Sequence, residues 1–144
     1  MTLFPVVVNC PEDVWPGSFS GNVAIAITAV SGPNTPTLWL VFEIDAGRVS
    51  HSSAVLSRDT QMPEPVRATN PIIHAEGQRD TWNLLIVDRE SFYEKVGAGE
   101  LQIGGDYRTF GRYSPALLRL VEATDLWEHL NEIVARVSEL QAAT

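Results

Sequence analysis

The stretch that decides the fold is Asp80 to Val121, DTWNLLIVDRESFYEKVGAGELQIGGDYRTFGRYSPALLRLV. Trp82, Leu84 and Ile86 alternate, which predicts a strand with one apolar face, and Asp88 offers a cap to the helix that follows. Phe92 and Val96 lie four apart, as one helical face requires, and Gly97-Ala98-Gly99 supplies the stop. Leu101 and Ile103 alternate again until Gly104-Gly105-Asp106 breaks the strand. Ser114-Pro115 then opens a helix carrying Leu117, Leu118, Leu120 and Val121. An apolar helix laid beside a strand in this way is the kind of element that walls a greasy pocket.

Upstream, NVAIAITAV (Asn22 to Val30) puts Val23, Ile25 and Ile27 on one strand face and the small Ala24 and Ala26 on the other. The cluster Ser31 to Pro36 turns the chain into TLWLVFEID (Thr37 to Asp45), where Leu38, Leu40, Phe42 and Ile44 form the apolar face. Ala46-Gly47 is a tight turn into RVSHSSAVLS (Arg48 to Ser57), whose serines predict one face in water. Leu3 to Val8 reads as an edge strand that tolerates Pro5, and Trp15 and Phe19 anchor the loop after it. Arg58 to Asn70 has two prolines and no periodicity, so a mobile loop over a ligand entrance is expected there. PIIHAEG (Pro71 to Gly77) is another strand. Thr124 caps a last helix over Asp125 to Gln141, on which Leu126, Trp127, Leu130, Ile133, Val134, Val137 and Leu140 recur at helical spacing. Strands first and helices late predict one α+β domain over 1–144, a mostly antiparallel sheet of five or six strands with helices packed on one face.

Ten basic against eighteen acidic residues give a net charge of −8, with Lys95 the one lysine and the arginines scattered. That balance argues against nucleic acid and against an anionic membrane as partners. The apolar runs are far shorter than the roughly 20 residues of a membrane helix, so no stable insertion is expected. MTLFPVVVNC lacks the charge pattern of a secretory signal and Cys10 stands alone, so a cytoplasmic protein is expected.

Catalytic chemistry has thin support. His51, His74 and His129 have no close Cys or His companion, so neither a metal site nor a cofactor is expected. His74 and Glu76 share a strand face and could do acid–base work, but a solvent-facing polar pair is the more economical reading. The glycines from Gly97 to Gly111 match neither a dinucleotide nor a phosphate loop, and no serine sits in a nucleophile elbow. Asp106 and Tyr107 are weak acid–base candidates that read better as a cap and a rim aromatic.

The order of elements resembles the sterol carrier protein type two family. FSGNVAIAI and TLWLVFEIDAGRVS look like its first strands, and the block through Val96-Gly97, Leu101-Gln102-Ile103 and Gly105-Asp106 looks like its strand–helix–strand–helix core, a likeness spanning 19–120. Three departures stand out: a proline-bearing LFPVVV where the family has an amphipathic helix, a shortened link between Gly97 and Leu101, and Tyr107 to Arg112 between Asp106 and the apolar helix. The resemblance implies lipid binding and transport, with a sterol, acyl or polyketide-like molecule in an apolar tunnel. Its lining would come from Leu38, Leu40, Phe42, Phe110, Leu117, Leu118, Val121, Trp127 and Leu130. Two alternatives stay open: a small isomerase or cyclase using Asp106, Tyr107, His74 or Glu76 in the same cavity, and an interaction subunit or homodimer formed through the helix over 125–141.

Overall fold

The computed structural model describes residues 2–9, 15–88, 91–123 and 126–143, without the side chains of Ile86, Val87, Tyr107, Leu118, Val121, Glu122 and Ala123. Cys10, Thr124 and Asp125 therefore lie outside the described residues, and with Thr124 the cap expected for the last helix. Strands β1 (Phe4–Pro5), β2 (Gly21–Thr28), β3 (Thr37–Asp45), β4 (Arg48–Ser57), β5 (Ile73–Gln78) and β6 (Leu101–Gly105) form one sheet in the order β1-β4-β3-β2-β5-β6. Every pairing is antiparallel except β2 with β5, which is parallel. The helices are α1 (Glu64–Arg67), α2 (Arg79–Val87), α3 (Phe92–Gly97), α4 (Tyr107–Ala123) and α5 (Leu130–Ala142).

The alternation in β2 and β3 sorts the side chains as expected. Val23, Ile25 and Ile27 lie opposite Phe42, Leu40 and Leu38, and all six are buried in the main apolar cluster. Trp82 and Leu85 of α2, Phe92 of α3, Leu117 and Leu120 of α4, and Leu130, Ile133 and Val137 of α5 complete that cluster, so α2 to α5 cover one face of the sheet. Gln141 near the end of α5 clamps the outer edge of β4: its amide accepts from the Leu56 N–H at 2.8 Å and donates to the Leu56 carbonyl at 3.0 Å. β1 pairs β4 only at Ser53 and Ala54, so the backbone of Leu56 beyond it is satisfied by a side chain instead.

Several sequence expectations are corrected. Asp80 to Val87 is helix rather than strand: the face that buries is Trp82 with Leu85, at helical spacing, while Leu84 is 46% exposed. Arg79 fixes this helix by donating to the Val30 carbonyl at 2.7 Å and the Asn131 side chain at 3.1 Å, and the Trp82 indole N–H reaches the Ala26 carbonyl at 3.1 Å. The helix after β6 begins at Tyr107, not at Ser114, because the Asp106 carboxylate accepts the backbone N–H groups of Arg108 and Thr109 as a cap. Pro115 consequently sits inside α4, where it lacks the N–H that the Gly111 carbonyl would otherwise receive. The gap that separated Asp106 from the apolar helix in the family comparison disappears.

The serine-bearing half of β4 is buried on both faces, Ser52, Ser53 and Ser57 included, because the far side of the sheet is also covered. Its cover is the segment read as a mobile loop. α1 buries Val66, which with Met62 and Leu3 packs on Ala24, Ala26, Trp39, Val41 and Val55. The last helix starts at Leu130, four residues after Leu126, which is buried in a turn ahead of it. Its apolar side is spent on the chain's own interior, leaving a docking helix or a homodimer through it without structural support.

Candidate functional site

Of the nine apolar side chains expected to line a ligand site, Leu118 and Val121 lie outside the described side chains. The other seven all belong to the one extended apolar cluster of the interior or pack against it. Leu38, Leu40 and Phe42 rise from the sheet, Phe110 and Leu117 descend from α4 and Leu130 from α5, all buried, with Trp127 packed half-buried against them. α4 is the hinge of this arrangement. Phe110 tilts against Phe92 at 5.8 Å between ring centres, and Phe92 meets Tyr93 edge-on at 5.3 Å. The Tyr93 hydroxyl shares a 2.8 Å hydrogen bond with Ser114, whose side chain is fully buried on the same helix as Phe110. That bond gives an otherwise orphaned hydroxyl a partner at the edge of an apolar interior.

On the other side of α4, Phe19 stacks on Trp15 at 4.6 Å and meets Tyr113 edge-on at 4.8 Å. The loop carrying Trp15 and Phe19 is held by the β3–β4 turn. Gly47 donates to the Phe19 carbonyl at 2.8 Å, and the Ala46 N–H donates to the Ser20 hydroxyl at 2.9 Å. Both turn residues have positive φ, 48° at Ala46 and 83° at Gly47, the twist a two-residue hairpin needs. Above these rings a cleft of about 290 Å³ opens, lined by Ser18, Phe19, Ser20, Ile72, Arg108, Thr109, Arg112 and Tyr113. Sequence reasoning missed it, since Tyr107 to Arg112 reads as a linker once Pro115 is taken as a helix start. The spacing of Phe110, Ser114 and Leu117 at +4 and +3 was the available signal.

Among the described side chains, no hydrogen bond or ion pair joins the acid–base candidates to one another. His74 and Glu76 project from β5 on the face opposite the interior, beside Ala24 and Ala26 of β2. The His74 imidazole lies flush over Gly104, where any side chain would collide with it. Burial pushes His74 below the usual imidazole range and Glu76 above the usual carboxylate range. Glu76 faces a polar cleft of about 390 Å³ shared with Thr28, Gln78, Thr81, Glu100 and Gln102, separate from the apolar interior. Asp106 is occupied as the α4 cap. Hydrogen bonds from the Thr109 hydroxyl, then from the Thr109 and Arg108 N–H groups, hold its carboxyl below the ordinary value, which suits a cap and not a proton donor. The side chain of Tyr107 lies outside the described ones. Among the described residues no group of three or more His, Cys, Asp or Glu could hold a metal ion. Among them, too, no helix is long and apolar enough to cross a membrane.

No protein-family model and no curated protein matches the sequence. Solved structures do. A crystal structure of sterol carrier protein 2 aligns over 74% of this chain and 77% of its own, with a TM-score of 0.54 at 17% identity. The solution structure of a conserved protein from Thermus thermophilus, suggested to be a sterol carrier protein, aligns over 74% of this chain and 69% of its own, with a TM-score of 0.53 at 16% identity. The α+β architecture is thus the sterol carrier protein 2 fold. At this identity the likeness is one of fold.

Proposed function

We propose that this chain binds a hydrophobic small molecule, of the sterol, fatty acyl or polyketide-like class, between the sheet and the α4–α5 layer, and carries it. The observation behind this reading is the single apolar cluster that joins Leu38, Leu40 and Phe42 to Phe110, Leu117 and Leu130 on a sterol carrier protein 2 fold. On this reading the lining side chains act by apolar contact. They supply desolvation, at about 0.8 kcal/mol for each methylene removed from water. Ten buried methylenes are worth roughly 8 kcal/mol gross, which corresponds to a dissociation constant near 1 µM before the costs of association are subtracted.

Entry requires the helical layer to part from the sheet, and α4 is the element suited to yield. Pro115 leaves the Gly111 carbonyl without its helical donor near the middle of the helix, and kinks form at such places. The Gln141 clamp on Leu56 keeps α5 in place meanwhile. Native mass spectrometry of the purified chain tests the reading. A co-purified adduct of lipid mass, displaced by a fluorescent fatty acid, is the expected result. A chain that arrives empty and leaves the fluorescent acid unbound contradicts it.

A further inference from the structure

We propose that the cleft beside the first two turns of α4 is an anion-recognition site. In it Arg108 and Arg112 hold the carboxylate or phosphate head of an amphiphile whose tail enters the apolar interior. This deepens the carrier reading and rests on it. The two arginines stand four apart on α4, so their side chains share a face, and like charges at that spacing repel. Their helical neighbours do nothing to relieve this. Within α4, Thr109, Gly111, Pro115 and Ala116 occupy the positions three and four away, Gly104 and Gly105 precede them on β6, and none carries a carboxylate. Asp106, two residues before Arg108, is spent on the backbone N–H groups of Arg108 and Thr109 and attracts Arg108 only through space. In a chain of net charge −8, two guanidiniums facing one cleft without a carboxylate among the described residues of its lining are a local exception.

The rest of the cleft fits an amphiphile. Arg112 is held 5.4 Å over the Tyr113 ring, which keeps its planar donor fork at the cleft wall. Ser18, Ser20 and Thr109 add hydroxyls, and the Ser20 oxygen already accepts from Ala46, which leaves its proton to donate. Phe19, Ile72 and Tyr113 complete the lining, and each belongs to the main cluster or packs against it, so the cleft borders the apolar interior. At about 290 Å³ the cleft holds a head group and not a whole lipid. Guanidinium forks match carboxylate and phosphate oxygens in pairs, a geometry that an alcohol or an ester does not offer.

The test compares palmitic acid with its methyl ester, identical in tail and different in charge, against the wild type and an Arg108→Gln/Arg112→Gln variant. Inorganic phosphate is titrated in parallel, followed at the arginine side-chain NMR signals. Glutamine keeps helix propensity, and both positions are exposed, so the variant's melting temperature serves as a folding control. The wild type should prefer the acid by about tenfold, the value of one charge-assisted hydrogen bond pair. The variant should lose that preference while binding the ester as before. Equal binding of acid and ester by the wild type, or an unchanged preference in the variant, overturns the site and leaves the carrier reading standing. If neither amphiphile binds, the carrier reading fails. Phosphate that still shifts the arginine signals then identifies a free anion as the occupant, and phosphate that does not overturns the site as well.

Discussion

Replacing Gly47 with alanine tests how the aromatic wall of the interior is held in place. The new Cβ would stand 2.6 Å from the carbonyl oxygens of both Trp15 and Pro16, where ordinary contact begins near 3.4 Å. Neither oxygen can swing aside, since both belong to the backbone of the loop that Gly47 itself anchors through Phe19. A left-handed backbone costs an alanine about 1–2 kcal/mol, and overpacking adds about 1–3 kcal/mol. Gly47→Ala should therefore destabilise the fold by about 2–5 kcal/mol, a fall in Tm of about 10 °C for a chain of this size. Circular dichroism melts measure the loss. Tryptophan emission should shift to the red as Trp15 leaves its stack on Phe19, and the shift should vanish when Trp15→Phe is already present. Gly111→Ala is the control: its Cβ meets nothing within 4 Å inside α4, so it should stabilise by about 0.5–1 kcal/mol. A Gly47→Ala protein that melts within about 2 °C of wild type, with unchanged emission, would refute the reasoning.

Four further outcomes follow from the same structure. Glu76 has a raised pKa, so the folded state binds its proton more tightly than the unfolded state, and its contribution to stability falls as pH rises from 4.5 through the folded value. Glu76→Gln should thus raise Tm at pH 7.5 and leave it unchanged at pH 3.5; His74 works the other way, costing stability as pH falls below 6.5, so His74→Gln should flatten the acid limb of the melting profile. Trp82→Phe removes the indole bond to the Ala26 carbonyl together with buried ring volume, and should cost about 2 kcal/mol in a denaturant titration. Gln141→Ala should cost about 1–2 kcal/mol and speed hydrogen exchange at the Leu56 amide, while an unchanged exchange rate would show that the clamp carries no stability.

The sheet was legible wherever one period dominated. In NVAIAITAV and TLWLVFEID the alternation has no helical competitor, and both strands appear with the expected faces. TWNLLIV satisfies both periods at once, Trp82-Leu84-Ile86 and Trp82-Leu85, and tertiary packing on β2 chose the helix. Pro115 misplaced the start of α4 because proline at a helix start is common, whereas the true start is the Asp106 cap, legible in Gly-Gly-Asp only if the proline is allowed inside the helix. The burial of Ser53 and Ser57 of β4 follows from cover of the second face, where α1 packs, a contact between segments that no local pattern encodes. For the candidate site, the apolar members were readable as core residues. The arginine cleft was not, because it forms only when the first turns of α4 come beside the Ser18–Ser20 loop.

The most direct measurement of the central claim is a methyl NMR titration of the purified chain with palmitic acid below its aggregation threshold. Binding in the interior should shift the methyl signals of Leu38, Leu40, Leu117 and Leu130 together, saturating at one equivalent, because these side chains share one cluster. Shifts confined to surface residues, or none at a severalfold excess of the acid, would contradict it.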